Sequence, residues 1–149
     1  MSNLIILDLN GTLILRKGDK VYLRKNLKEF KDFCFSIADV AVYTSMQLKN
    51  IKLEEIFTHE EINKLIFVWD RSKTMKDPEA INKWDTIKNL GVIISKYPNY
   101  KRYIIIDDSP NKVRFIHGDC KLLVPPFENE KESENVLLEI IDKLKEKLI

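Results

Sequence analysis

Leu4-Ile5-Ile6-Leu7 is a short, unbroken apolar run that gives way at once to Asp8-Leu9-Asn10-Gly11-Thr12. A run of that length and make-up reads as a strand buried on both faces, and such strands belong to parallel sheets covered by helices. A carboxylate at the carboxyl end of the strand then stands where open α/β sheets bind their ligands. Gly11 lets the backbone turn there and brings N–H groups towards an anion. This one junction restricts the chain to an α/β architecture with Asp8 facing a ligand.

The same grammar recurs along the chain. Asp39 to Tyr43 is a second apolar strand, ending in Thr44-Ser45. Leu65 to Trp69 is a third, followed by Asp70-Arg71, and Arg102 to Ile106 is a fourth, ending in Asp107-Asp108-Ser109-Pro110. Leu122 to Val124, closed by Pro125-Pro126, is a fifth. Between the first strand and the first helix, Leu13 to Leu15 and Val21 to Leu23 flank a turn-prone segment around Gly18, which predicts a β-hairpin that could serve as a flap. Asn26 is the expected N-cap of a helix with Leu27, Phe30, Phe33, Cys34 and Ile37 on its inner face. Helix is also expected over Met46 to Lys64, from Pro78 or Glu79 through Lys83, from Trp84 to Tyr97, after Pro110, and from Asn135 to Ile149.

Composition narrows the class. With 149 residues, 44% hydrophobic and 32% charged, the chain suits one domain spanning residues 1–149. No apolar run approaches the roughly 20 residues of a membrane span. The N-terminal run lacks a basic leader and reads as a strand, so neither a signal peptide nor a membrane partner is expected. A net charge of +2 does not by itself argue for nucleic acid. Cys34 and Cys120 lack metal-ligand spacing and read as reduced thiols, which suits a cytoplasmic or nuclear protein.

Four strand-end or helix features line up in chain order: Asp8, Thr44, Lys83 and the Asp107-Asp108 pair. Adjacent acids at the end of an apolar strand need a metal or a cation beside them, because burying charge alone is costly. Phosphoryl transfer asks for such a set: a nucleophile, cations against the phosphoryl oxygens, and donors aimed at them. Magnesium takes carboxylate and carbonyl oxygens, and Asp8, the Asn10 carbonyl, Asp107 and Asp108 could supply them. Lys76 and Lys88 compete with Lys83 for the cationic role. Arg71 is a further candidate for binding a substrate anion, whereas His59 and His117 read as surface or capping residues.

Asp8 to Thr12 resembles the first motif of the haloacid dehalogenase superfamily, Asp-x-Asp-Gly-Thr, with Asn10 in place of the second aspartate. The hairpin, Thr44, a helix-borne lysine and Asp107-Asp108-Ser109-Pro110 resemble the capless branch that holds the RNA polymerase II C-terminal-domain phosphatases. The resemblance implies a Rossmann-like fold, with a mainly parallel central sheet flanked by helices, a small hairpin and no large cap domain. It implies Mg2+ as cofactor, Asp8 as nucleophile, Thr44 and Ser45 at the phosphoryl group, Gly11 and Thr12 in the phosphate-binding loop, and Lys83 as the phosphate-binding lysine. The expected activity is phosphomonoester hydrolysis through an aspartyl-phosphate, on a phosphorylated protein or nucleic-acid end, by a monomer. Polynucleotide 3′-phosphatases share the first motif and stay open as an alternative. Asn10 cannot move a proton as the second aspartate would, which leaves two readings: a slowed enzyme, through a native or engineered Asn10, or a silent phosphoprotein-binding module. Receiver domains are excluded, because they carry their acidic pair on the first strand and their lysine on the last.

Overall fold

A computed structural model describes residues 2–80 and 85–149. In chain order the elements are β1 (Leu4–Leu7), β2 (Ile14–Lys17), β3 (Lys20–Leu23), α1 (Leu27–Ile37), β4 (Asp39–Tyr43), α2 (His59–Lys64), β5 (Val68–Trp69), β6 (Met75–Lys76), β7 (Thr86–Ile87), α3 (Leu90–Lys96), β8 (Tyr103–Asp107), β9 (Lys121–Leu123) and α4 (Val136–Leu148). Five strands form a parallel sheet in the order β5-β4-β1-β8-β9. β1 lies at the centre, and all its residues are buried.

The pleat sorts alternate side chains into two cores. Ile5, Leu7, Val40, Val42, Ile104 and Ile106 pack with Phe30 and Cys34 of α1 and Leu137 and Ile140 of α4. Leu4, Ile6, Ala41, Tyr43, Tyr103 and Ile105 pack on the opposite face with Leu90 and Ile93 of α3 and with Phe67 and Trp69. Helices therefore cover both faces, which is why the strands read as continuous apolar runs. Leu7 pairs with Val42 on one side and Ile106 on the other, so the chain emerges from β1, β4 and β8 at one edge. That edge carries Asp8, Thr44 and the Asp107-Asp108 pair.

Several local expectations change. Met46 to Lys64 is not one helix: two 3-10 turns, Leu48–Asn50 and Leu53–Glu55, precede α2. Ile51, Ile56 and Phe57 all turn into the core, and Thr58 restarts the helix through a capping box with Glu61. No helix starts at Pro78 or Glu79, where Ala80 N–H closes a turn on the Asp77 carbonyl. The helix expected from Trp84 begins only at Leu90, because Ile87 pairs antiparallel with Met75 and Asn89 caps the Gly91 N–H. Lys83 and Trp84 lie outside the described residues. Residues 110–115 form turns, not a helix. Asn26 does precede α1, but in a left-handed conformation (φ 67°) and without a side-chain capping bond.

Candidate active site

β1 delivers Asp8 to the edge of the sheet, and the loop after it folds back tightly. Leu9 accepts hydrogen bonds from the backbone N–H groups of Thr12, Leu13 and Ile14, and Ile14 accepts one from Gly11. The N–H groups of Gly11 and Thr12 are thus spent inside the loop, and these residues act on the site by other means. The Thr12 hydroxyl lies 2.8 Å from Asp8 Oδ2 and 3.2 Å from Asp108 Oδ1. Gly11 has φ +88°, and a Cβ there would fall 2.5 Å from Asp108 Oδ2. Only glycine lets Asp108 come this close.

Lys88 supplies the cation. Its Nζ lies 3.0 Å from Asp8 Oδ1 and 2.5 Å from Asp107 Oδ2, and all three side chains are buried. Burial pulls the Lys88 ammonium down, but the two carboxylates outweigh it and hold its pKa above the ordinary value. Burial raises the Asp8 carboxyl, and the hydrogen bond and charge of Asp108 push the same way against the pull of Lys88. Asp107 is also raised, first by burial and then by Asp8. Two buried carboxylates sharing one ammonium leave an excess of negative charge. One oxygen each of Asp8, Asp107 and Asp108 lies within 4.8 Å of the others. That excess and an all-carboxylate donor set fit a hard divalent cation such as Mg2+.

A cleft of about 240 Å³ opens over this cluster, lined by Asp8, Asn10, Thr44, Ser45, Met46, Asp107, Asp108, Ser109 and Lys112. Thr44 is buried, and its hydroxyl accepts the Met46 N–H at 3.1 Å. Asn10 is exposed at the mouth, its Oδ1 accepting the Arg16 N–H at 3.0 Å. Arg71 starts a 3-10 turn after β5 and lines an adjoining depression with Gln47, Lys49, Asp70 and Ser72. None of the cleft-lining residues belongs to β2 or β3. The hairpin is instead fastened to the segment before α4, by Lys17 to Glu130 at 2.5 Å. Just beyond it, Arg24 reaches Glu132 at 2.9 Å and the Thr12 carbonyl at 3.0 Å.

The structure thus brings together Asp8, Asn10, Thr12, Thr44, Ser45, Asp107 and Asp108. The lysine between the carboxylates is Lys88, which follows β7 and precedes α3; Lys83 is outside the described residues, and Lys76 is exposed on β6. The signal in the sequence was a lone charge set between Ile87 and Leu90, a basic residue inside an apolar pattern. Lys112 escaped the sequence reading altogether. His117 caps the 3-10 turn Gly118–Cys120 through its Nδ1.

The parallel sheet, with an aspartate leaving its central strand and an Asp-Asp pair leaving the strand beside it, defines a fold of the haloacid dehalogenase superfamily. Within that superfamily the chain belongs to the NLI interacting factor-like phosphatase family, whose model matches residues 3–149. No curated protein sequence matches the chain. Among solved structures it is similar to fission yeast Fcp1, an RNA polymerase II CTD phosphatase, bound to beryllium fluoride: TM-score 0.57, 14% identity, 97% of this chain and 50% of that one. It is also similar to another structure of Fcp1, described as an essential RNA polymerase II CTD phosphatase: TM-score 0.51, 15% identity, 96% of this chain and 47% of that one. The chain spans about half the length of these proteins, and at such identities the likeness is one of fold.

Proposed function

We propose that residues 1–149 act as one domain that hydrolyses phosphomonoesters through an aspartyl-phosphate on Asp8. The observation that carries this reading is the Asp8 carboxylate itself, set at the cleft with Lys88 on one oxygen and the Thr12 hydroxyl on the other. Asp8 attacks phosphorus, the bond to the ester oxygen breaks, and that oxygen leaves with the electron pair. Water then attacks phosphorus in the aspartyl-phosphate, releasing inorganic phosphate and restoring the carboxylate. Lys88 offsets negative charge beside the transferring group, and the hydroxyls of Thr44 and Ser45, which line the same cleft, are its donors. Asp8, Asp107, Asp108 and the Asn10 carbonyl would hold Mg2+, which when bound neutralises phosphoryl charge.

Asn10 sets the rate. An amide neither protonates a leaving oxygen nor takes a proton from water, and general acid–base catalysis is typically worth about 10²–10⁴. The chain is therefore slow on esters with poor leaving groups. The substrate class is a phosphoprotein: no residue of the hairpin strands lines the cleft, which suits a phosphate displayed on a larger chain, and the similar Fcp1 structures are of CTD phosphatases. Asn10 also supports a second reading, a phosphoprotein-binding module in which Asp8 only ligates metal.

An activated aryl phosphate separates the two, since its leaving group needs little protonation. Incubated with it and magnesium, the protein should gain one phosphoryl group by intact mass, mapped to Asp8 and lost in Asp8→Ala. Phosphopeptide binding without any adduct would instead establish the binding module.

A further inference from the structure

The geometry points to Lys112 as a second anion subsite, which selects phosphoprotein substrates carrying another anionic group, phosphate or carboxylate, beside the phosphoester. This rests on the phosphoprotein reading above and adds a specificity residue to it.

Lys112 lines the cleft and is half-buried. It is anchored from several sides. Its carbonyl accepts the Lys88 N–H at 2.9 Å, its own N–H faces Ser109 Oγ at 3.4 Å, and its Nζ lies 3.2 Å from Thr86 Oγ1. The two cleft lysines differ in partners. Lys88 is saturated between Asp8 and Asp107, whereas among the described residues no carboxylate forms an ion pair with Lys112. A half-desolvated ammonium held at contact distance by a neutral hydroxyl, with its nearest carboxylates beyond ion-pair reach, leaves room for an arriving anion to pair with it.

The charges around it are mixed. Burial is the main cause that lowers the Lys112 pKa; the charge of Asp85 opposes it, Lys88 and Arg71 add to the lowering, and Asp107 opposes it least. Lys88 is committed to the nucleophile, so the phosphoryl group that Asp8 attacks already has its cation. Lys112 meets β7 at Thr86, and the charge of Arg71 acts on it. Lys112 and Asp8 line one cleft, so a residue beside a phosphoresidue held at Asp8 would come within reach of the Lys112 ammonium.

The test is equilibrium binding with magnesium of three peptides that share one phosphoserine and differ beside it: serine, aspartate or a second phosphoserine. Wild type should favour the peptides with a second anion by about two- to fivefold, the range of one partly screened charge pair. Lys112→Gln should bring that ratio close to one, and Lys112→Arg should restore it. A ratio that Lys112→Gln leaves unchanged, or no preference in wild type, overturns the subsite while the phosphoprotein reading stands. Wild type binding none of the three peptides overturns both.

Discussion

Lys88 Nζ lies 2.5 Å from Asp107 Oδ2 in a pair that is almost wholly buried, and the same ammonium reaches Asp8. Removing it strands two carboxylates away from water. Lys88→Met is expected to cost about 3–5 kcal/mol, as for breaking a buried pair by deleting one partner. Urea denaturation with an unchanged m-value measures it. Asp107→Asn in the same background should recover part of the loss, since it removes one stranded charge. A Lys88→Met cost below about 1 kcal/mol, the scale of a surface pair, would show the charges to be solvated.

Asn10→Asp places a carboxyl group where the Arg16 N–H already holds the side-chain oxygen. With magnesium present, hydrolysis of an unactivated alkyl phosphate should rise at least about tenfold, a floor beneath the general acid–base range. Steady-state rates that do not move would place the bottleneck elsewhere.

Asp77 and Arg114 give the fold a pH-dependent clasp just after β6, where the chain leaves its pairing with β7. The Arg114 hydrogen bond holds the Asp77 carboxyl below its ordinary value of 3.8, with the Glu79 N–H helping. A depressed carboxylate stabilises the fold above its unfolded pKa, and that contribution fades as pH falls through the folded value. Arg114→Leu should therefore be less stable than wild type at neutral pH, with the gap closing in acid. Denaturation curves at a series of pH values read this directly; a gap that is the same in acid would mean Arg114 acts through packing alone.

The strand ends were legible because each is an apolar run cut off by a polar residue, and the parallel register does the rest: Leu7 beside Val42 and Ile106 fixes Asp8, Thr44 and Asp107 at one edge. The lysine was harder, because it is placed by the two-residue strand Thr86–Ile87, whose partner Met75–Lys76 lies across a polar stretch. So short a pairing leaves no periodicity to read. The same holds for Met46 to Lys64, where burial of Ile51, Ile56 and Phe57 overrides a helical pattern. Lys112 was invisible for a different reason: its place in the cleft comes from turns, not from a helix starting at Pro110.

Two glycines separate backbone strain from close approach. Gly11 (φ +88°) and Gly18 (φ +60°) both have positive φ, a conformation that costs other residues about 1–2 kcal/mol. At Gly18 an added Cβ meets nothing within 4 Å, so Gly18→Ala should lose only that strain. At Gly11 the Cβ would stand 2.5 Å from Asp108 Oδ2 and 2.9 Å from its Cγ, so the carboxylate must move. Asp108 also touches the Thr12 hydroxyl that bonds Asp8, and the shift spreads to two of the three clustered carboxylates. Gly11→Ala should therefore weaken magnesium binding about 10- to 100-fold, the usual cost of disturbing the groups that orient metal ligands. Calorimetric titration of wild type, Gly18→Ala and Gly11→Ala decides it. Only the Gly11 variant should lose affinity; equal affinities in all three would remove Asp108 from the metal site.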